Sequence, residues 1–221
     1  MRRPSVSITW ARLSKWFAKN LPEANAALNR GAPKTKIGKL ERLIGQVLPD
    51  DFRESISIHD GENAKTSAGC VYGLELLAVD SIAQNWKVWD EITPIPELDV
   101  LTKSVPAKFV QSQYFNRGWI PITHDCGGNH IAIDLAPAEQ GTYGQIIVFG
   151  RDDTKHYVVA PSFSHFLRMY SDELTAGNFI ITRAGDRTVV GNVPMVEFKT
   201  KVPAVDHFHV AVAHKRFAKY R

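Results

Sequence analysis

Apolar residues recur with a helical period in three stretches of the first sixty positions. Trp10, Leu13 and Phe17 stand at i, i+3 and i+7, with Trp16 and Leu21 widening the stripe, which predicts an amphipathic helix over residues 8–20. After a loop over residues 21–33, Ile37, Leu40 and Ile44 mark a second helix that stops before Leu48-Pro49. Pro49 suits the first turn of a third, with Asp50, Asp51 and Glu54 near its positive end, Phe52 and Ile56 facing inward and Asp60-Gly61 closing it. Short strands are predicted at residues 70–72 and 75–79, then a helix capped by Asp80 or Ser81 with Ile82, Trp86 and Trp89 on one face. Residues 93–110 hold three prolines and read as irregular.

From Trp119 the period changes to two. Ile120 and Ile122 flank Pro121, which favours a strand edge or end. Ile131, Ile133 and Leu135 alternate with His130, Ala132 and Asp134, the pattern of a half-buried strand. Residues 145–149 are an apolar run suited to a central strand, and residues 157–160 are another strand. Ser162 caps a helix that turns Phe163, Phe166, Leu167, Tyr170 and Leu174 inward and ends at Gly177. Beyond it, strand-like pieces at 179–182, 188–190, 195–198 and 210–213 are broken by Gly and Pro. Helices first and meandering strands later predict an α+β fold. The expected organisation is a domain over residues 1–178, with a strand-rich extension and basic tail at 179–221 packed on it. Trp119, Ile131, Ile133 and Phe149 should share one core.

Composition agrees with a packed domain, since 44% of the residues are hydrophobic and 23% charged. Two cysteines far apart, Cys70 and Cys126, make no disulfide framework and suit a reducing compartment. No apolar run follows Arg2-Arg3, and no stretch approaches the ~20 apolar residues of a membrane span, so a cytoplasmic protein is expected.

Charge is segregated. Residues 1–42 carry 10 Lys/Arg against 2 Asp/Glu, residues 43–99 carry 3 against 11, and residues 179–221 carry 8 against 3. Either folding apposes the acidic and basic segments, or Asp50, Asp51, Glu54, Asp60 and Glu62 form an acidic face for a basic partner.

The ordered motifs are more specific than any one of them. They run from the Trp10 helix through Leu40-Glu41-Arg42-Leu43-Ile44-Gly45, Leu48-Pro49-Asp50-Asp51-Phe52 and His59-Asp60-Gly61 to Gly118-Trp119-Ile120-Pro121. Asp125-Cys126-Gly127-Gly128-Asn129, Asp134-Leu135-Ala136-Pro137, Gly141-Thr142-Tyr143-Gly144 and Ser162-Phe163-Ser164-His165-Phe166 follow. Over residues 8–177 this set resembles the Smi/Knr-like family of the SUKH superfamily, which holds fungal regulators linked to cell-wall glucan synthesis and many bacterial immunity proteins. The resemblance implies a mixed or antiparallel sheet flanked by helices, in a protein-binding domain without enzymatic activity or cofactor. It also marks Trp10, Gly61, Trp119, Gly128, Asn129, Asp134, Pro137, Gly144 and Phe166 as residues that hold the fold. Read without the family, Asp134 sits mid-strand among apolar neighbours and should accept backbone hydrogen bonds from a nearby loop.

Other chemistry is weaker. His124, Asp125, Cys126 and His130 are metal-capable types but lack ligand spacing, and two glycines between them favour a turn. His207 and His209 share a strand face. There is no Gly-x-Ser-x-Gly elbow and no phosphate-binding glycine loop. The terminal cations with Phe217 and Tyr220 could stack on nucleic acid, though a solvated tail is the simpler reading. The first expectation is therefore an immunity-type protein that occludes a toxin domain. The alternative is a regulatory scaffold like the cell-wall regulators, and the third is an enzyme using the His124/Cys126 cluster.

Overall fold

The helical stripes fold into a layer. The computed structural model of the protein describes residues 3–66, 68–92, 95–182 and 195–197. Helix α1 (Val6–Asn20) buries Val6, Trp10, Leu13 and Phe17, and its N-cap Ser5 accepts from the Ile8 N–H. Helices α3 (Lys34–Ile44) and α4 (Asp50–Ile58) match the second and third stripes, α3 closing on the left-handed Gly45. Between them and α1, the expected loop holds a short helix, α2 (Pro22–Ala27), with Pro22 in its first turn. Six residues make under two turns, too few for a period to show in sequence.

Strand β1 (Glu75–Leu76) is shorter than expected because Val79 begins helix α5 (Val79–Ile92). The group that accepts from the Val79 N–H is Asp60, 19 residues upstream, at 2.7 Å. Gly61 beside it is a positive-φ residue, and a Cβ there would lie 2.3 Å from the Ala78 nitrogen and 2.4 Å from the Leu77 carbonyl carbon. A side chain at Gly61 would push the acidic loop off the start of α5. The proline-rich stretch contains the single turn α6 (Pro96–Asp99) and strand β2 (Lys103–Val105).

Strands β3 (Trp119–Pro121), β4 (Thr123–His124), β5 (Asn129–Asp134), β6 (Gln145–Gly150) and β7 (Asp153–Ala160) follow. The main sheet has the order β2-β7-β6-β5-β3, antiparallel except that β2 runs parallel to β7. Strand β4 pairs with β1 in a small second sheet. Helix α7 (Phe163–Thr175) starts on the expected Ser162 cap and packs on β6, β7, α1 and α4. Strands β8 (Ile180–Thr182) and β9 (Met195–Glu197) form an antiparallel pair. The other predicted pieces, at 188–190 and 210–213, the His207/His209 pair and the basic tail lie outside the described residues.

A further sequence expectation is corrected at β5. Strand β5 is buried along its whole length rather than on one face. Register puts His130 opposite Phe149 and Asp134 opposite Trp119, so these four side chains point to one side of the sheet. Trp89 of α5 and Phe115 cover that side, Trp89 meeting Phe149 at 5.2 Å and Phe115 meeting Trp119 at 6.3 Å between ring centroids. Ile131 and Ile133 point to the other side. Trp119, Ile131, Ile133 and Phe149 do share one core, as expected, but on two sides of one sheet. The architecture is α+β, and among the described residues no helix is long and apolar enough to cross a membrane.

Candidate functional site

The acidic segment does not form the expected partner-facing surface. Asp51, Asp60 and Glu62 are buried, and Asp50 and Glu54 alone of the five are exposed. The reason lies at the helix starts, where backbone N–H groups have no partner within their own helix. Asp51 accepts from Ser164 N in the first turn of α7 at 2.9 Å. Glu54 accepts from Ser7 N in the first turn of α1 at 3.2 Å, and Asp60 serves α5. One acidic helix and the loop after it thus place carboxylates at the positive ends of three other helices. Glu62 accepts from Ala68 N, Cys70 N and Leu76 N at 2.9, 3.1 and 2.9 Å and so holds the whole 68–76 loop. Burial pushes its carboxyl above the ordinary value, and these three N–H groups pull the other way. Lys36 meets the segment at 2.5 Å from Asp60 and also lies 3.0 Å from Asp80.

The residues that the resemblance marked sit at joints of the fold. Trp10 donates to the Ser55 hydroxyl at 2.9 Å and ties α1 to α4. Phe166 lies in the core under α7. Asp134 is fully buried, and its two oxygens accept from Ala136 N at 2.9 Å and Gln145 Nε2 at 2.8 Å; burial raises its carboxyl to about 6. The Pro137 carbonyl accepts from Gln111 Nε2, and Gly144 N donates to the Asp134 carbonyl.

The His124–His130 loop is a turn in the same sense. Asp125 accepts from Gly127 N at 2.7 Å, Asn129 N at 2.9 Å and Asn129 Nδ2 at 2.7 Å. Asn129 also donates to Asp152, joining this turn to the one after β6, and Gly128 takes a positive φ within it. His130 is buried, donates from Nδ1 to the Thr123 carbonyl at 2.7 Å and stacks on His124, whereas Cys126 is exposed. Among the described residues no three His, Cys, Asp or Glu side chains are grouped to hold a metal. Burial lowers both His130 and His156 to about 4.

A pH effect follows from these two rings. Between about pH 6.5 and 4 the unfolded chain binds a proton on each imidazole and the folded chain does not. Stability from each ring is therefore present at pH 7 and lost as pH falls through that window, on the order of 3 kcal/mol per ring. Asp134 acts in the opposite sense: the folded chain keeps its proton up to about pH 6, so its contribution shrinks as pH rises from 4 to 6. The expected NMR result is that the His130 and His156 ring resonances stay at their neutral positions from pH 7 down to pH 5. A midpoint near 6.5 for either would show that water reaches the ring.

With the carboxylates drawn to helix starts, cations remain on the outside of α1. Arg12, Lys15 and Lys19 follow a helical i, i+3, i+7 spacing and line a groove of about 510 Å³ with Trp16, Leu174 and Phe179. Trp16 and Phe179 meet edge to face at 4.6 Å. The Arg12/Lys15/Lys19 spacing was readable in the sequence. Its neighbours were not, because Leu174 and Phe179 come from the far end of the domain.

The sequence profile of the SMI1/KNR4 family (SUKH-1) matches residues 31–169. The chain belongs to this family. It is 36% identical over 190 residues to the cell wall biosynthesis/cell cycle regulator smi1 of Schizosaccharomyces pombe, covering 80% of the chain and 38% of the relative. It is 32% identical over 210 residues to the glucan synthesis regulatory protein of Neurospora crassa, covering 80% and 40%. With the cell wall assembly regulator SMI1 of Saccharomyces cerevisiae it shares 27% identity over 251 residues, covering 97% and 49%. The chain thus spans between about two fifths and a half of these relatives' length. The groove residues all fall outside the 31–169 match.

Proposed function

We propose that this chain is a protein-binding regulatory domain that acts in cell-wall or glucan assembly, and that it works by docking partners rather than by catalysis. The observation that carries the reading is the family match together with relatives named as regulators of glucan synthesis and cell-wall assembly. The chemistry of the domain supports it. Four buried carboxylates and imidazoles are engaged within the fold: Glu62 by three backbone N–H groups, Asp134 by the Ala136 N–H and the Gln145 side-chain amide, His130 by the Thr123 carbonyl and His156 by the Gln113 carbonyl. The regulatory reading is favoured over the immunity reading because these relatives are named as regulators and come from fungi. A cytoplasmic site of action fits such a role.

The test is a domain exchange, which allows for the difference in length. The matching segment of the S. pombe regulator is replaced by this chain, and growth is followed under a wall-digesting glucanase alongside cell-wall glucan content. The expected result is growth and glucan close to those of the unaltered regulator. A chimera as sensitive as the deletion strain would overturn the reading.

A further inference from the structure

The groove between α1 and the end of α7 has the chemistry of a peptide site. Lys15 and Lys19 have no carboxylate within ion-pair distance among the described residues, and Arg12 is held by Asp172 at 3.0 Å. Asp172 is itself shared with Arg168 at 2.9 Å. The groove's described lining holds Arg12, Lys15 and Lys19 and no carboxylate, so that with Asp172 set against Arg12 the rim stays net positive. Two helix C-termini meet here and bring partial negative charge, yet some of their last carbonyls are already occupied. Asn20 Nδ2 donates to the Trp16 carbonyl, and Gly177 N donates to that of Leu174. Within the groove the half-buried Trp16 and Phe179 rings offer an apolar platform, and Trp is a residue type over-represented where binding energy concentrates.

We propose that this groove docks an acidic segment of a partner protein, with carboxylates on Lys15 and Lys19 and an apolar side chain against Trp16 and Phe179. This deepens the regulatory reading and rests on it. Charge decides among the occupants. The chain's own residues 180–221, beyond Phe179, carry 8 Lys/Arg against 3 Asp/Glu, the same sign as the rim. A nucleic-acid backbone needs a continuous cationic track, which Asp172 interrupts at Arg12. An acidic peptide with one apolar anchor matches both the rim and the platform.

The probe is a fluorescein-labelled twelve-residue peptide of Glu and Ser with one central Trp, titrated against the full chain by anisotropy and mapped by NMR. The expected result is saturable binding with amide shifts at Lys15, Trp16, Lys19 and Phe179. Affinity should fall roughly tenfold in Lys15→Glu/Lys19→Glu, and also when salt is raised, because exposed charges are screened over about 8 Å at physiological ionic strength. The same peptide with Trp replaced by Ser should bind more weakly. Unchanged affinity in the double variant, with its circular dichroism intact, would overturn the proposal. So would shifts mapping elsewhere, equal binding of a single-stranded DNA of matched charge, or a concentration-dependent dimer that the double variant abolishes. Carrying the double variant into the S. pombe chimera separates the two readings. A functional wild-type chimera with an equally functional variant removes the groove alone, whereas a non-functional wild-type chimera removes the regulatory role and leaves peptide binding to be judged by the titration.

Discussion

Trp119→Ala should destabilise the fold by about 3–5 kcal/mol, the range for truncating a fully buried aromatic residue. Trp119 is 0% exposed. Its ring meets His156 at 4.8 Å, Phe149 at 5.4 Å and Phe115 at 6.3 Å, so one side chain joins β3, β6, β7 and the 106–118 segment. Its strand lies at the edge of the main sheet and has one ladder partner there, β5, so little else can close the gap. The cavity would sit among aromatic rings that pack as rigid plates and collapse poorly. Urea denaturation followed by circular dichroism measures the loss as a lower midpoint, with Trp119→Phe as an intermediate case. A loss under about 1 kcal/mol would mean that the aromatic cluster is not the keystone of this side of the sheet.

Glu62→Ala should be comparably damaging for a different reason. It removes the acceptor of three buried N–H groups, and each one left unsatisfied costs about 1–3 kcal/mol. Relief of the cost of burying a carboxylate, and any water entering the space, offset part of this, so the expected loss is about 3 kcal/mol or more. Glu62→Gln keeps the shape but turns one acceptor into a donor facing an N–H, and should fall between wild type and alanine. Hydrogen exchange makes the mechanism visible. The Ala68, Cys70 and Leu76 amides should lose protection in Glu62→Ala, while amides of β6 change only with global stability. Protection unchanged at Cys70 and Leu76 would rule out Glu62 as the organiser of the loop.

Much of this architecture can be read from local pattern. The stripes of α1, α3, α4 and α7, the Ser162 cap and the strands β5 and β6 depend on contacts within a turn or along one strand, which side-chain periodicity reports directly. The α+β class and the SUKH family follow from the order of these elements and their motifs. The role of Asp134 is legible on the same grounds, since its Ala136 partner is two residues away. What local pattern does not carry is the address of a side chain's distant partner. Asp51 meets an N–H 113 residues on, Glu54 one 47 residues back and Asp60 one 19 residues on, so an apparent acidic face turns out to be a set of helix caps. The parallel pairing of β2 with β7 and the covering of both sides of β5 are likewise set by how the chain closes on itself. The groove belongs to the same class. Its cations are spaced by one helix, but its apolar platform exists only because Phe179 comes back across some 160 residues of chain to rest on Trp16.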